Sequence, residues 1–330
     1  MSMNGGNVGT TGGRRESATA VLLVMVAMLG LATAACSKVA NLRAIMSYKE
    51  ANKAYGAQDY KRAARLYEDA LQSDPNLAQI YFYLGNSYDN LYKPAIKDPA
   101  NDAFLPKAVQ NYELAAQKLA KPEDAKLQKL TLQYLVAAYG PDKLNDPVKA
   151  ELAIKRMIQL DPADPANYFA LAKIYEDAGV YDEAEKVLDM AKAAKPDDPS
   201  VYMQLAGYYN RQGQFDKTIG ALQERAAKEP NNPEAFYTLA TYYWDEAYRD
   251  IRLKESEKKT YVQSGIDAVD QALKIRADYV EAMVYKNLLL RLQANMEKDL
   301  AKQQALIKQA DQLRDKAQEI RKTKATGVGD

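Results

Sequence analysis

The sequence of 330 residues contains no histidine and one cysteine, Cys36. Histidine is the commonest general base and metal ligand in proteins, and cysteine thiolates bind zinc and carry redox chemistry. Acidic pairs such as Asp197 with Asp198 stand at predicted helix starts, where carboxylates stabilise exposed backbone amides. The composition therefore predicts a protein that is not an enzyme and that holds no metal and no cofactor.

The sequence also has almost no net charge, because 45 lysine and arginine residues balance 44 aspartate and glutamate residues. Proteins that bind nucleic acids or other polyanions usually carry a clear basic excess. The charge balance therefore predicts that nucleic acid is not a partner of this protein.

In place of such sites, the sequence contains a pattern that recurs every 34 residues. Pro165 returns with this period as Pro199 and Pro233. Other positions recur in the same register: Tyr168, Tyr202 and Phe236; Leu171, Leu205 and Leu239; Ala172, Ala206 and Ala240; Tyr175, Tyr209 and Tyr243; Pro162, Pro196 and Pro230. A self-similar period of this length indicates a repeat architecture.

Each repeat predicts a pair of amphipathic helices. The first helix of the repeat 165–198 has apolar residues at i, i+3, i+4 and i+7, which form one face of a helix. Gly179 marks the turn, and Pro196 ends the second helix because proline cannot continue a helix. An isolated pair would leave its apolar faces exposed, so the pairs must stack on one another.

This order of an aromatic residue, a Leu-Ala step, tyrosine, a small residue, a bulky residue and proline resembles the tetratricopeptide repeat (TPR). The resemblance implies an all-α fold, a right-handed α-solenoid of stacked helix-turn-helix units with a long C-terminal capping helix. We expect about six TPR-like helix pairs, over residues 44–77, 78–121, 122–164, 165–198, 199–232 and 233–279.

Residues 280–322 are expected to form C-terminal capping helices, because a repeat array needs a soluble end. A partner-binding coiled segment is the alternative for this stretch. Residues 323–330 are expected to form a disordered tail.

Two of the predicted pairs are longer than the period. In the second pair, residues 92–104 contain Pro94 and Pro99 and predict a loop inserted between the two helices. In the sixth pair, residues 246–260 are highly charged and contain no proline or glycine, so we expect them to extend both helices.

The N-terminus has the features of an export signal. Arg14 and Arg15 precede an apolar run, residues 18–35, and small residues stand directly before Cys36. The signal peptide is therefore expected to span residues 1–35. An uncleaved anchor helix is the alternative, because the apolar run is about long enough to span a bilayer.

The residues before the cysteine resemble the cleavage box of bacterial lipoproteins, although Thr33 stands where that box prefers an aliphatic residue. The resemblance implies cleavage before Cys36, lipidation of Cys36 and anchoring to a membrane. Residues 36–43 would then be a tether or the start of the first helix. Ser37, without an aspartate, is the pattern associated with the outer membrane, so we expect the protein on its periplasmic face in a bacterial cell envelope.

The TPR resemblance places a partner-binding groove on the concave face, along the first helix of each pair. The positions that it predicts to line this groove are Tyr48, Asn52, Tyr55, Phe82, Asn86, Asp89, Phe169, Lys173, Glu176, Met203, Asn210, Tyr237 and Trp244. This mixed aromatic and polar set suits an extended peptide or an apolar small ligand. Trp244, the only tryptophan, either faces the groove beside the charged insert or packs against a neighbouring unit.

Two functions from different classes are compatible with this architecture. The first is a non-enzymatic, envelope-anchored scaffold or adaptor for protein or peptide partners, in outer-membrane, secretion or pilus assembly. The alternative is a ligand-binding accessory lipoprotein of a solute transport system. An open groove would favour the first function, and a deep, closed, apolar cavity would favour the second.

Overall fold

The computed structural model describes residues 1–2 and 40–325 of the chain. Residues 40–325 form α-helices joined by turns and short loops, and none of the described residues lies in a β-strand. No helix in this part of the chain combines the length and the hydrophobicity that crossing a membrane requires. Cys36 and nearly all of the predicted signal peptide lie outside the described residues, as do residues 326–330.

The chain divides into two compact units, and the first of them ends at Leu160. Within this unit α3 packs on α2 and α5, and α6 packs on α5 and α7. The helices of the first unit are α1 (residues 40–56), α2 (Tyr60–Ser73), α3 (Ala78–Leu91), the short α4 (Pro99–Asp102), α5 (Phe104–Lys118), α6 (Ala125–Tyr139) and α7 (Pro147–Leu160). Residues 40–43 are helical, so α1 begins inside the segment predicted as a tether or as the start of the first helix.

The second compact unit begins at Asp161 and contains four helix pairs. Each pair packs on the next, through contacts of α9 with α10, α11 with α12, and α13 with α14. Its helices are α8 (Pro165–Asp177), α9 (Tyr181–Ala194), α10 (Pro199–Arg211), α11 (Phe215–Lys228), α12 (Pro233–Arg249), α13 (Glu255–Ile275), α14 (Val280–Asn295) and α15 (Leu300–Ala325).

Three successive pairs of the second unit begin with the same cap. The side chains of Asp164, Asp198 and Asn232 each accept a hydrogen bond from the backbone N–H two residues later. The proline that follows each cap stands at the first helical position, where its fixed φ suits the helix and no intrahelical hydrogen bond is lost. These recurring prolines therefore start helices.

A tyrosine near the start of three first helices donates a hydrogen bond to a proline carbonyl six residues earlier. The bond joins Tyr81 to Pro75 at 3.1 Å, Tyr168 to Pro162 at 2.9 Å, and Tyr202 to Pro196 at 2.6 Å. The recurrence of tyrosine with proline in the sequence thus has a physical cause, because the tyrosine holds its helix against the preceding turn.

A second recurring tyrosine, in the last turn of the first helix, bonds to a glutamate of the preceding helix pair. These bonds join Tyr139 to Glu113 at 2.6 Å, Tyr209 to Glu185 at 3.0 Å, and Tyr88 to Glu68. Burial, and then the adjacent carboxylate, raise the pKa of each of these hydroxyls, so all three remain hydrogen-bond donors at neutral pH. Successive pairs are therefore joined by polar as well as apolar contacts.

Small residues let the two helices of a pair approach closely. Ala206 of α10 has no exposed surface. In the second pair Gly85 occupies the equivalent position on α3, where an added Cβ would lie 2.9 Å from the Tyr112 ring and 3.0 Å from the Ala108 carbonyl oxygen of α5. Those distances are shorter than van der Waals contact, so a larger residue at Gly85 would force the Tyr112 ring and the neighbouring α5 backbone to shift.

The charged insert of the sixth pair extends both helices, as the sequence predicts. Helix α12 continues to Arg249 and α13 begins at Glu255, which leaves only a short turn between them. The other insert is a loop only over residues 92–98, because α4 and the start of α5 occupy the remainder. Buried Asn101 of α4 holds this loop through hydrogen bonds to its backbone.

The segment predicted to cap the array forms a further antiparallel helix pair, α14 and α15. Arg291 of α14 bonds to Asp311 of α15 at 2.6 Å, and Lys324 at the end of α15 bonds to Asp278, just before α14, at 2.9 Å. Most of α15 is exposed and polar, as a terminal helix requires. The predicted all-α fold of TPR-like helix pairs with a long C-terminal helix is confirmed.

We expect Gly85→Ala to destabilise the protein by about 1–3 kcal/mol, because its Cβ would overlap the ring of Tyr112. Gly220 of α11 is the matched control, since a Cβ there meets nothing within 4 Å. Gly220→Ala should stabilise the protein by up to about 1 kcal/mol through higher helix propensity. Thermal unfolding followed by circular dichroism measures both effects. Equal melting temperatures for the two variants would contradict the close contact of α3 with α5.

Candidate partner-binding surfaces

Four half-buried tyrosines form an aromatic surface on the first unit, namely Tyr48 and Tyr55 of α1, Tyr83 of α3 and Tyr134 of α6. We call this set the N-terminal tyrosine surface. The ring centroid of Tyr83 lies 5.5 Å from that of Tyr55 and 6.5 Å from that of Tyr48. The ring of Phe82, 5.6 Å from Tyr134, joins α6 to this cluster. The first helices of three consecutive pairs therefore present one aromatic face.

A layer of hydrogen bonds lies beneath these rings. The Tyr55 hydroxyl donates to Asn86 Oδ1 at 2.6 Å, and Asn86 Nδ2 donates to the Tyr112 hydroxyl at 3.3 Å. The Tyr67 hydroxyl donates to Asn52 Oδ1 at 2.7 Å. Because Tyr67 and Tyr112 are fully buried, this network holds the partly exposed rings in fixed orientations.

Two residues predicted to line the groove, Phe82 and Asn86, are only 4% and 3% exposed. Phe82 packs against the rings of Tyr112 and Tyr134, and the amide of Asn86 is used by the hydrogen bonds beneath the surface. The assignment of these two residues to a solvent-facing groove is therefore corrected. The next residue after Phe82, Tyr83, reaches the surface in its place.

The other predicted residues of the first unit lie at this surface. Tyr48 and Tyr55 belong to it, and Asn52 is an exposed neighbour on α1. Asp89 is half-buried, and its carboxylate forms an ion pair with Lys143, in the turn after α6. The surface is thus mainly aromatic, with a carboxylate that already has a cationic partner.

Burial changes the acidity of the tyrosines in this cluster. It raises the pKa of Tyr55 to about 12, with smaller contributions from the neighbouring Tyr134, Tyr60 and Tyr83. Burial also raises the pKa of Tyr67 and Tyr112 far above the usual tyrosine value. Their hydroxyls are therefore protonated at neutral pH and act as hydrogen-bond donors.

A second aromatic surface lies on the second unit, at α12 and α14. It consists of Tyr237, Trp244 and Tyr248 of α12 and Tyr285 of α14, and we call it the C-terminal aromatic surface. The rings of Trp244 and Tyr248 stack with centroids 5.0 Å apart and planes only 9° apart. Tyr285 meets Trp244 edge-on at 5.6 Å and Tyr237 at 5.4 Å. Trp244 thus packs on the next helix pair and also keeps an exposed edge.

Exposed side chains and ion pairs both occur at and beside this surface. Tyr248 is 61% exposed and Ile251, in the turn after α12, is 91% exposed. Arg249 pairs with Asp245 at 2.7 Å. Arg252 likewise pairs with Asp250 and Glu255 with Lys259, whereas Lys254 donates its backbone N–H to Glu257.

The predicted groove residues of α8 and α10 are mainly polar. Phe169 and Met203 are half-buried, and Asn210 is exposed. Lys173 forms an ion pair with Asp177, one turn further along α8. Glu176 accepts two hydrogen bonds from Arg211 at 2.7 and 2.9 Å, which lower the pKa of its carboxyl group. Side chains tied into such pairs are less available to a partner.

The repeat pattern did not predict four of the tyrosines that lie at these surfaces. Tyr83 and Tyr134 each lie two positions after the first residue of their helix that fits the repeat pattern. An alignment of these two repeats would therefore place the two tyrosines at the same position. Tyr248 lies four residues after Trp244, in the helical extension. Tyr285 lies in the segment assigned to the cap, where the repeat predicts no groove residue.

Within residues 1–2 and 40–325, no group of three histidine, cysteine, aspartate or glutamate side chains has the arrangement to hold a metal ion.

A family model described as tetratricopeptide repeat matches residues 143–206, so the chain contains a TPR there. No curated protein matches the chain. Several solved structures align with it. The C-terminal part of a TPR repeat-containing protein from Cytophaga hutchinsonii has 17% identity and a TM-score of 0.49, over 83% of this chain and 98% of that chain. MamA has 18% identity and a TM-score of 0.41, and the match covers 61% of this chain and 96% of the MamA chain. PilW, described as a type IV pilus biogenesis factor, has 19% identity and a TM-score of 0.37, and the match covers 72% of this chain and 96% of the PilW chain.

We expect alkaline pH to destabilise the first unit through Tyr55. Below pH 10 the folded and unfolded states both hold this proton, and the stabilisation is complete. Between pH 10 and about 12 the unfolded chain loses the proton while the folded chain retains it, so the free energy of unfolding falls as the pH rises. Tyr55→Phe should make this fall less steep.

Urea unfolding at a series of pH values measures this dependence. Tyr55→Phe should also lower stability at neutral pH by about 1 kcal/mol, because Asn86 loses a hydrogen-bond donor. Tyr181→Phe, at an exposed ring of α9, is the control for the loss of a tyrosine hydroxyl. The same pH slope in Tyr55→Phe and the wild type would contradict the role assigned to Tyr55.

Proposed function

We propose that this protein is a non-enzymatic adaptor of the bacterial cell envelope that binds protein or peptide partners along the first helices of its helix pairs. A lipid on Cys36 anchors it to the periplasmic face of the outer membrane. The observation that supports partner binding most directly is the C-terminal aromatic surface, where stacked Trp244 and Tyr248 remain partly exposed.

Exposed aromatic side chains of this kind favour a protein partner. Tryptophan and tyrosine supply large, rigid contact areas and are enriched among the residues that dominate binding energy at protein interfaces. Tyr285, which itself packs against Tyr237, contacts Trp244 edge-on, so little side-chain freedom remains to be lost on binding. The paired charges beside the surface can form the polar rim that such interfaces have.

The alternative function, a ligand-binding accessory of a solute transport system, would need an enclosed apolar cavity. One cavity of about 330 Å³ lies between α5, α6 and α7, with Leu132, Leu135 and Leu152 among its lining residues. Its mouth is open to solvent, and Leu152 is 63% exposed. An open depression of this kind would cover only part of a small molecule, so the adaptor remains the better supported function.

We expect Trp244→Ala to abolish or strongly weaken capture of the partner while costing little stability. Affinity purification of the tagged full chain from membranes, followed by mass spectrometry, identifies the proteins that co-purify with the wild type. The variant should lose them by roughly tenfold or more, as for an aromatic residue that dominates an interface. Tyr181→Ala, which removes an exposed tyrosine of α9, should retain them.

The fluorescence of Trp244 provides an independent check, because the chain has no other tryptophan. Acrylamide should quench it in the free protein, and a partner should shift its emission and protect it. Emission that acrylamide cannot quench, together with a large loss of melting temperature in Trp244→Ala, would show that the tryptophan serves the core instead.

We also expect Cys36→Ser to release the protein from the membrane fraction, because the chain has no other cysteine to acylate. Metabolic labelling with a radioactive fatty acid should label the wild type and leave the variant unlabelled. Sucrose-gradient fractionation should place the wild type with outer-membrane markers. A wild-type protein that takes up no fatty acid would refute the lipid anchor without affecting the partner surface.

A further inference from the structure

The first helix carries an exposed apolar face near its N-terminal end. Leu42 is 60% exposed, Ile45 45% and Met46 61%. These residues lie at i, i+3 and i+4, so they share one side of the helix. Ala44 and Ala51 of the same helix are fully buried. We call Leu42, Ile45 and Met46 the outer face of α1.

The remainder of the first unit packs against the other side of α1. Tyr55 contacts Tyr60 of α2 and Tyr83 of α3, with ring centroids 5.6 and 5.5 Å apart. At about 100° per residue, Tyr48 and Tyr55 lie more than a quarter turn away from the centre of the outer face. Helices α2 and α3 therefore leave Leu42, Ile45 and Met46 open, as the exposures above show.

Basic side chains accompany this apolar face. Residues 40–56 contain the basic residues Arg43, Lys49 and Lys53 and one acidic residue, Glu50. Glu50 forms an ion pair with Lys53 at 2.6 Å, while Arg43 and Lys49 are exposed next to the outer face. Apolar side chains bordered by exposed cationic side chains are typical of a helix that lies on an anionic lipid surface.

The position of α1 in the chain determines which surface is nearest. Only five residues stand between Cys36 and Leu42, and the six residue-to-residue steps span at most about 20 Å even when fully extended. A lipid on Cys36 would hold the outer face within this distance of the bilayer. At the resulting effective concentration, even a weak affinity for lipid is sufficient to keep the helix at the surface.

We propose that the outer face of α1 lies on the membrane that holds the Cys36 anchor, with Leu42, Ile45 and Met46 among the lipid headgroups and Arg43 and Lys49 against anionic lipid. This inference rests on the lipid anchor proposed above. The N-terminal tyrosine surface, on the other side of the same helix, then faces away from the lipid and stays open to partners.

A single thiol placed on the outer face tests this directly. In the acylated chain Cys36 is blocked, so Ile45→Cys introduces the only reactive thiol, which an environment-sensitive fluorophore can label. The labelled full chain is reconstituted into vesicles of phosphatidylethanolamine and phosphatidylglycerol that contain nitroxide-labelled lipid. We expect a blue-shifted emission that the nitroxide quenches. Met190→Cys, at an exposed apolar position of α9, should give neither effect.

The contribution of the face itself is measured without the anchor. Mature Cys36→Ser protein, residues 36–330 without the predicted signal peptide, should float with phosphatidylglycerol vesicles at low salt and less at high salt. Adding Leu42→Gln, Ile45→Gln and Met46→Gln should reduce the floating fraction at least severalfold. Val148→Gln with Leu152→Gln, at exposed apolar positions of α7, should leave it unchanged. The substituted positions are exposed, so folding, checked by circular dichroism, should be retained.

Each outcome has a definite meaning. An acylated, membrane-bound protein whose Ile45→Cys label is not quenched would overturn the docking of α1 and leave the anchor intact. A label that shifts with protein concentration but is not quenched by lipid would overturn it in favour of a second copy of the chain. Mass spectrometry of Cys36 reports on the anchor separately, and a wild-type chain without an acyl group would overturn both proposals.

Discussion

The close contact between the two helices of each pair is the constraint on which the rest of this structure depends. It requires a small residue where the helices meet, and at Gly85 even one methyl group would overlap the ring of Tyr112 and the backbone of α5. Successive pairs also meet closely: an added Cβ at Gly265 of α13 would lie 2.9 Å from Leu289 of α14. Because the helices approach this closely, neighbouring tyrosines are buried far enough for their hydroxyls to reach fixed partners, and the first helices present their remaining aromatic residues together.

Tyrosine suits this arrangement because its ring packs against neighbouring side chains while its hydroxyl forms a hydrogen bond. One recurring tyrosine holds its helix to the preceding turn, and another joins successive pairs through a glutamate, as in Tyr139 with Glu113. A third set lies at the surface, beside buried Tyr67 and Tyr112, which are hydrogen-bonded to asparagine side chains. A surface supported in this way is rigid before a partner arrives, and rigid aromatic side chains lose little conformational entropy on binding.

The first helices differ in what they offer to a partner. The surfaces at α1, α3 and α6 and at α12 and α14 are aromatic, whereas Lys173 and Glu176 of α8 are held in ion pairs. Exposed ion pairs contribute little net binding energy, because their charges already have partners and water competes for them. The aromatic surfaces therefore support the proposed adaptor function better than the polar stretch does. The proposed contact of α1 with lipid would leave the N-terminal tyrosine surface accessible.

The sequence by itself determined the helix pairs, because the caps, the prolines and the small contact residues act locally and recur with one period. It also determined the helical extension at residues 246–260, where no helix-breaking residue occurs. Only the tertiary structure decided which residues face outward. Phe82 is buried because Tyr112 of α5 and Tyr134 of α6 pack against it, and Asn86 because it is hydrogen-bonded between Tyr55 and Tyr112. A repeat pattern contains no information about such contacts. Tyr285 joins Trp244 only because α14 packs on α12, a contact between residues far apart in the chain.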